Sequence, residues 1–248
     1  MFKKFISKPI RPIFRLAKKL AMRTGMSRLI WQTNLNTEID FWDRYLKNKG
    51  LEWQEGFQTR INPLTPIDPH IEELLPVGEV SILDVGAGPL TCLGKVSEGR
   101  RIDLTAVDPL AAAYDKLLAK YSVVPPLRTV YAKAESLTPV FRKNQFDLVH
   151  ARNCIDHSFN PLQAFEQMLE VVKIGGFVIA LHEINEGKNE GYAGLHQWNF
   201  FSQDGEFLIG NREGKTVNVS AELRNRAEVR CDTAFSPGWL VVRMKKIQ

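Results

Sequence analysis

The chain has 248 residues, 44% of them hydrophobic and 25% charged, enough for one α/β domain with a small extension. Three cysteines (Cys92, Cys154, Cys231) are too few and too widely spaced for a disulfide framework. They form no CxxC pair, which argues against structural zinc and for a reducing, cytoplasmic setting. No apolar run approaches the roughly 18 residues of a membrane-spanning helix.

The net charge of +5 is unevenly spread. Met1 to Thr37 holds nine Lys/Arg and no acid, while the remainder holds 24 basic and 28 acidic residues. An acidic body argues against a nucleic-acid partner. Within the tail, residues 1–35, Ile13, Leu16, Ala17, Leu20 and Ala21 recur at helical spacing. Arg15, Lys18, Lys19 and Arg23 lie between them, so the spacing predicts a basic amphipathic helix. Residues 1–30 suit an anionic membrane surface or a membrane-bound partner on the cytoplasmic face. Packing on the body and an organellar transit peptide are the competing readings, while Lys18 and Lys19 spoil a signal peptide.

Residues 36–78 read as a helical cap. Ile39, Phe41, Trp42, Tyr45 and Leu46 make an aromatic face, Trp53 and Phe57 follow, and Gly50 is a helix stop. The proline-rich "RINPLTPIDPH" is extended.

Residues 79–248 form the main domain. "VSILDVG" is a strand and Pro89–Val96 a short helix. "IDLTAVD" is a strand and "PLAAAYDKLLAKY" a helix. "LRTVYAK" and "FDLVHARN" are strands, "PLQAFEQMLEVVK" a helix and "GFVIALHEI" a strand. Such alternation predicts an α/β, Rossmann-like fold: a mostly parallel seven-stranded sheet with helices on both faces. "AEVRCDTAF" and "GWLVVRMKKI" add an antiparallel C-terminal strand pair, and "EFLIGNREGKTVNVSAEL" reads as a hairpin turning at Asn211–Gly214.

In open parallel sheets, ligands bind beyond the carboxyl ends of the strands. Gly86, Ala87 and Gly88 sit there in "SILDVGAGPLTCLG". A dinucleotide loop would read G-x-G-x-x-G, but Thr91 occupies the third glycine's place and Pro89 removes an N–H. Asp84 would repel a pyrophosphate and suits an ammonium or hydroxyls. Asp108 ends the second strand, where such folds bind ribose hydroxyls. A ribose and an ammonium without a pyrophosphate fit S-adenosyl-L-methionine (SAM).

These motifs resemble those of the class I SAM-dependent methyltransferases over roughly Val80 to Ile184. "LDVGAGPL" resembles their first motif, and "VDP" (Asp108, Pro109) the second, on the ribose. "AKAESL" resembles the third, which implies that Ala134 and Glu135 flank the adenine, although Lys133 stands where an acid is common. "FDLVHARNCIDH" with the helix after it resembles the fourth and fifth, which implies that Ala151 and Arg152 line the methionine end. "HEINEGKNEGYAGLHQWNF", with "EIDFWDRYL" ahead of the core, is similar to bacterial methyltransferases associated with surface-polysaccharide or glycan synthesis. That resemblance implies a sugar, nucleotide-sugar or glycan-linked acceptor. Trp198 would stack on a pyranose, and Gln197, Asn199 and His196 would bond its hydroxyls. An O-methylated lipid or quinone-like phenol, and a non-catalytic SAM-binding scaffold, remain alternatives.

Methylating a hydroxyl requires removal of a proton, for which histidine is the natural base. His157 beside Asp156 is the first candidate, with His196 and His182 behind it; His70 and His150 read as structural. Asp156–His157 also resembles methyltransferases that bind a divalent cation. Only Asn153 and Glu183 stand near as further ligands, so no metal is expected.

Overall fold

A computed structural model describes residues 28–51 and 56–248 of the chain. The predicted basic amphipathic helix and Trp53 of the cap lie outside the described residues, and with them the segment assigned to a membrane surface. No helix among the described residues is long and apolar enough to cross a membrane.

Four strands run parallel: β1 (Gly78–Val85), β2 (Arg100–Val107), β3 (Phe146–Arg152) and β4 (Val172–Glu183). Two antiparallel strands, β8 (Ala227–Asp232) and β9 (Trp239–Lys246), complete a sheet of order β2-β1-β3-β4-β9-β8. Alternate residues serve opposite faces, as the pleat requires. Leu83, Val85, Val149 and Ala180 point into one core, shared with α5 (Pro161–Val171); Ile82, Leu148, Ile179 and Leu181 point into a second, capped by Ile67, Ile71 and Leu75 around α3 (Pro69–Glu72). A third cluster joins α1 (Arg28–Lys47), α2 (Phe57–Ile61) and α4 (Ala111–Lys120) through Trp42, Tyr45, Phe57 and Tyr114. The helix α1 runs across the boundary at residue 35/36.

The sheet has six strands rather than seven. "LRTVYAK" forms only isolated bridges, Val107↔Val130 and Lys133↔Ser136. Val130 and Tyr131 are exposed and only the small Ala132 reaches the core, so little apolar burial rewards a longer pairing there. The helix expected over Pro89–Val96 is also absent. The stretch bends at Pro89–Leu90 and Leu93, and its end pairs with Thr65–Ile67, with Lys95 and Val96 donating to the Thr65 carbonyl and Ile67 donating to that of Val96. Gly94 permits this approach, since a Cβ there would lie 2.0 Å from the Pro66 carbonyl oxygen. The hairpin over 206–218 forms, but in a separate antiparallel sheet of β5 (Trp198–Gln203), β6 (Glu206–Asn211) and β7 (Thr216–Asn218). This sheet buries Phe200 and Phe207 against Phe165 of α5. The short helix α6 (Glu186–Asn189) links β4 to β5, and α7 (Val219–Leu223) links β7 to β8.

Candidate active site

The turn after β1 is tied to the end of β2. Gly86 and Ala87 donate to the Val107 carbonyl, and Gly88 donates to Asp108 Oδ2 at 3.3 Å. Both glycines have positive φ, +70° and +65°. A Cβ at Gly86 would lie 2.5 Å from Cys154 Sγ, and one at Gly88 2.5 Å from the Trp42 ring. These glycines therefore admit the chain's own Cys154 and Trp42.

Register places Asp84 beside His150. Asp84 Oδ1 lies 2.7 Å from His150 Nδ1, and Oδ2 accepts from the Thr91 hydroxyl at 2.6 Å. All three side chains are buried. The Thr91 hydroxyl also accepts from Leu93 N–H, so the residue in the third glycine's place braces the turn's acid.

Asp108, at the end of β2, accepts from Leu110 N–H at 2.8 Å on Oδ1 as well as from Gly88 on Oδ2. Burial dominates its ionisation and pushes its pKa up to about 7, against the pull of those two amides. Glu135, also buried, accepts from Phe159 and Asn160 N–H at the start of α5, and burial raises its pKa. Asp84, Gly86, Ala87, Gly88, Asp108, Pro109, Ala134, Glu135 and Arg152 all line one cavity of about 450 Å³. Ala151 does not line it and is fully buried. Arg152 lies over the Trp239 ring at 5.2 Å, and Lys133, in the place of the common acid, lies over Trp31 at 5.3 Å. The helix α1 closes the cavity's side with Trp31, Leu35, Glu38, Phe41 and Trp42.

The histidines converge at the ends of β3 and β4. A 3₁₀ turn, Ile155–His157, follows β3 and carries Asp156 and His157. His196 stands just before β5, on a turn where its N–H donates to the Ala193 carbonyl. His157 Nε2 and His196 Nδ1 lie 3.1 Å apart, and Asp156 Oδ2 lies 3.4 Å from each. His182 Nδ1 lies 3.5 Å from Asp156 Oδ1, and its ring packs edge-on against Phe200. Asp156 is 1% exposed, and neither of its oxygens has a hydrogen-bond partner among the described residues. Burial works against its charge, but the imidazoles of His157, His182 and His196 around it hold its pKa well below the usual range. Burial likewise works to lower the His196 pKa, but bonds and charge from Asp156 and Glu186 push it up to about 10. His157, His196 and Glu186 line the cavity; Asp156 and His182 do not.

Glu186, on α6, is the residue the sequence reasoning missed. Its Oε1 lies 3.3 Å from His196 Nδ1 and accepts from Asn153 Nδ2 at 2.9 Å. The Asn153 carbonyl oxygen accepts from Glu183 N–H, so Asn153 is a brace behind the cluster. The only sequence signal was the acid-rich stretch "HEINEGKNE" after β4.

The "QWN" stretch corrects the expected sugar platform. Trp198 is 1% exposed and its indole donates to the Ser158 carbonyl. The Asn199 side chain bonds Lys188 N–H and the Tyr192 hydroxyl, and Gln197 donates to the Tyr192 and Gly194 carbonyls. These residues hold β5 and its loop in place and offer no face for a pyranose.

Residues 83–180 match a family model described as a methyltransferase domain. The CurJ carbon methyltransferase structure is similar at 14% identity and a TM-score of 0.50, covering 72% of this chain and 51% of that one. The chain has the class I SAM-dependent methyltransferase fold. Two further structures are similar at lower TM-scores. One is the complex of the Haloferax volcanii Trm112 methyltransferase activator with a methyltransferase (14% identity, TM-score 0.49, covering 85% and 98%). The other is a Methanosarcina mazei SAM-dependent methyltransferase (19%, 0.45, 74% and 100%). No curated protein sequence matches. The cofactor is S-adenosyl-L-methionine. The cavity's chemistry fits it. Each oxygen of the buried Asp108 accepts one backbone N–H and keeps capacity for a further donor, such as a ribose hydroxyl.

Proposed function

We propose that the chain transfers the SAM methyl group to a hydroxyl oxygen of a small acceptor bound against His157 and His196. The observation that carries this reading is the Asp156–His157–His196–Glu186 cluster, whose histidines and Glu186 line the same cavity as Gly86, Gly88 and Asp108. SAM supplies an electrophilic methyl group on sulfur. The chain's part is to bind, align and prepare the acceptor.

In this reading Asp108 accepts the ribose hydroxyls, and Ala134 with Glu135 borders the adenine. The Gly86–Gly88 backbone and Arg152 border the methionine portion, and Ala151 contributes through backbone alone. Asp84 has both oxygens engaged by His150 and Thr91, so it acts first as the turn's brace. A second bond on either oxygen remains open to the cofactor ammonium. The acceptor hydroxyl lies beside His157 and His196, and buried Asp156, backed by His182, holds the two imidazoles in place.

The charged groups His196, Glu186, Glu38 and Arg152 on the cavity wall favour a polyhydroxylated acceptor, a sugar or nucleotide sugar of the kind built into surface polysaccharides. The apolar wall from α1, Trp31, Leu35, Phe41 and Trp42, favours the second reading, a phenol or quinone-like lipid. The test is a screen of nucleotide sugars, glycan fragments and phenols for methyl transfer from SAM, read by product mass. A mass gain of one methyl on an oxygen is expected. Turnover confined to carbon or nitrogen acceptors would overturn the hydroxyl reading.

A further inference from the structure

The geometry points to the Asp156–His157–His196–Glu186 cluster as a binding site for one divalent transition-metal ion. Its role there, taking the acceptor's oxygen as an added ligand, rests on the reading above; the ion's binding does not.

The distances carry the argument. A metal bound to nitrogen and oxygen at about 2.0–2.1 Å holds tetrahedral ligands roughly 3.3–3.4 Å apart. His157 Nε2, His196 Nδ1 and Asp156 Oδ2 form a triangle with sides of 3.1, 3.4 and 3.4 Å. Glu186 Oε1 stands 3.3 Å from His196 Nδ1, and one ligand atom from each of the four lies within 4.8 Å of the rest. Three atoms at that spacing cap one face of a metal's coordination sphere, with Glu186 joining from the side.

A second observation is independent of the spacing. Asp156 is almost fully buried with no hydrogen bond to either oxygen, and Glu186 Oε2 is likewise buried and without a partner among the described residues. Two buried carboxylates with unfilled acceptor capacity draw a positive charge to the imidazoles between them, a proton in the free chain or a metal ion in its place. The surroundings also suit ligands. Asn153 donates to Glu186, and His182 backs Asp156, as outer partners hold metal-binding carboxylates. Two imidazoles with two carboxylates favour zinc, iron, manganese or cobalt over magnesium or calcium.

The cluster borders the cavity, so an acceptor hydroxyl can enter the ion's remaining position. Binding there lowers the hydroxyl's pKa, and its proton passes to solvent. The oxygen's electron pair then forms the C–O bond while the methyl–sulfur bond breaks, its pair remaining on sulfur in S-adenosylhomocysteine.

The test uses the full chain, stripped with EDTA, and Zn2+, Mn2+ and Co2+ salts as probes. Calorimetry and elemental analysis should give one ion per chain, with Co2+ giving visible bands altered on imidazole ligation. His196→Ala should abolish binding, and Asn153→Ala should weaken it about 10–100-fold. SAM affinity, measured separately, should hold in the stripped chain and in His196→Ala. A folded chain that binds SAM yet takes up no ion overturns the site, as does ion binding that survives both His157→Ala and His196→Ala. One ion bound as described, with no hydroxyl acceptor methylated, sustains the site and sinks the proposed function instead.

Discussion

Asp108→Asn separates what Asp108 does for the fold from what it does for the cofactor. Moving a carboxyl from 3.8 to about 7 means that the ionised form is held in the fold at a cost of about 4 kcal/mol, at 1.36 kcal/mol per pH unit. The sign follows from the raised pKa. The folded state holds the proton more tightly than the unfolded chain, so the cost is absent below 3.8, grows between 3.8 and about 7, and is complete above. Between pH 5 and pH 8, wild type should therefore lose about 3 kcal/mol relative to Asp108→Asn. The variant carries its own defect. Its carbonyl can face Leu110 N–H, the shorter contact, which leaves the amide against Gly88 N–H at a cost of about 1–3 kcal/mol. The variant should thus be equal or weaker at pH 5, where wild type already carries part of this cost, and the stronger protein at pH 8.

Cofactor binding should move the opposite way. Hydroxyl bonds to a charged acceptor contribute about 1.5–3 kcal/mol each, so Asp108→Asn should weaken SAM about tenfold to a hundredfold at pH 8. Wild-type affinity should tighten as pH rises through 7, and the variant provides the control for titration of SAM itself. Urea melts at the two pH values, with calorimetry for SAM, make the measurement. An unchanged SAM affinity in the variant, or a stability difference that does not vary with pH, refutes the reasoning.

His157→Ala should cut turnover by about 10²-fold or more while SAM affinity stays within twofold, checked by single-turnover assays beside calorimetry. Thr91→Val should cost about 1–3 kcal/mol in urea unfolding, because it strips a donor from buried Asp84; a cost near zero would show that the brace is idle. Gly88→Ala combines a φ of +65° with a Cβ 2.5 Å from the Trp42 ring. It should cost about 1–3 kcal/mol or more and weaken SAM, measured by melting with and without cofactor.

Much of this architecture was legible because local pattern and packing agree. The four parallel strands, α4, α5 and the β8–β9 pair each match an apolar run of the right period bounded by turn residues. "LRTVYAK" and Pro89–Val96 failed for a different reason. Their patterns are compatible with a strand and a helix, but the outcome depended on neighbours distant in sequence: little apolar cover over Val130 and Tyr131, and the Thr65–Ile67 backbone against Gly94. The same division runs through the site. Gly86, Gly88 and Asp108 sit at fixed offsets from strand ends, so spacing exposes them. Thr91 looked like a defect in a glycine loop until its hydroxyl was found on Asp84. Trp198 and Asn199 looked like ligand groups because a polar aromatic stretch carries no mark of whether it faces a cavity or a core. Glu186 carried no motif at all. It reaches His196 because Asn185 turns the chain with a positive φ of 59° and Gly187 lets the Trp198 backbone approach, where a Cβ would lie 2.7 Å from that carbonyl oxygen. Two residues chosen for backbone shape thus bring a fourth ligating side chain to His157, His196 and Asp156. Filling Gly187 with alanine should accordingly displace Glu186, and weaken ion binding more than SAM binding, since α6 touches the acceptor end of the cavity and leaves the Gly86–Asp108 cradle in place.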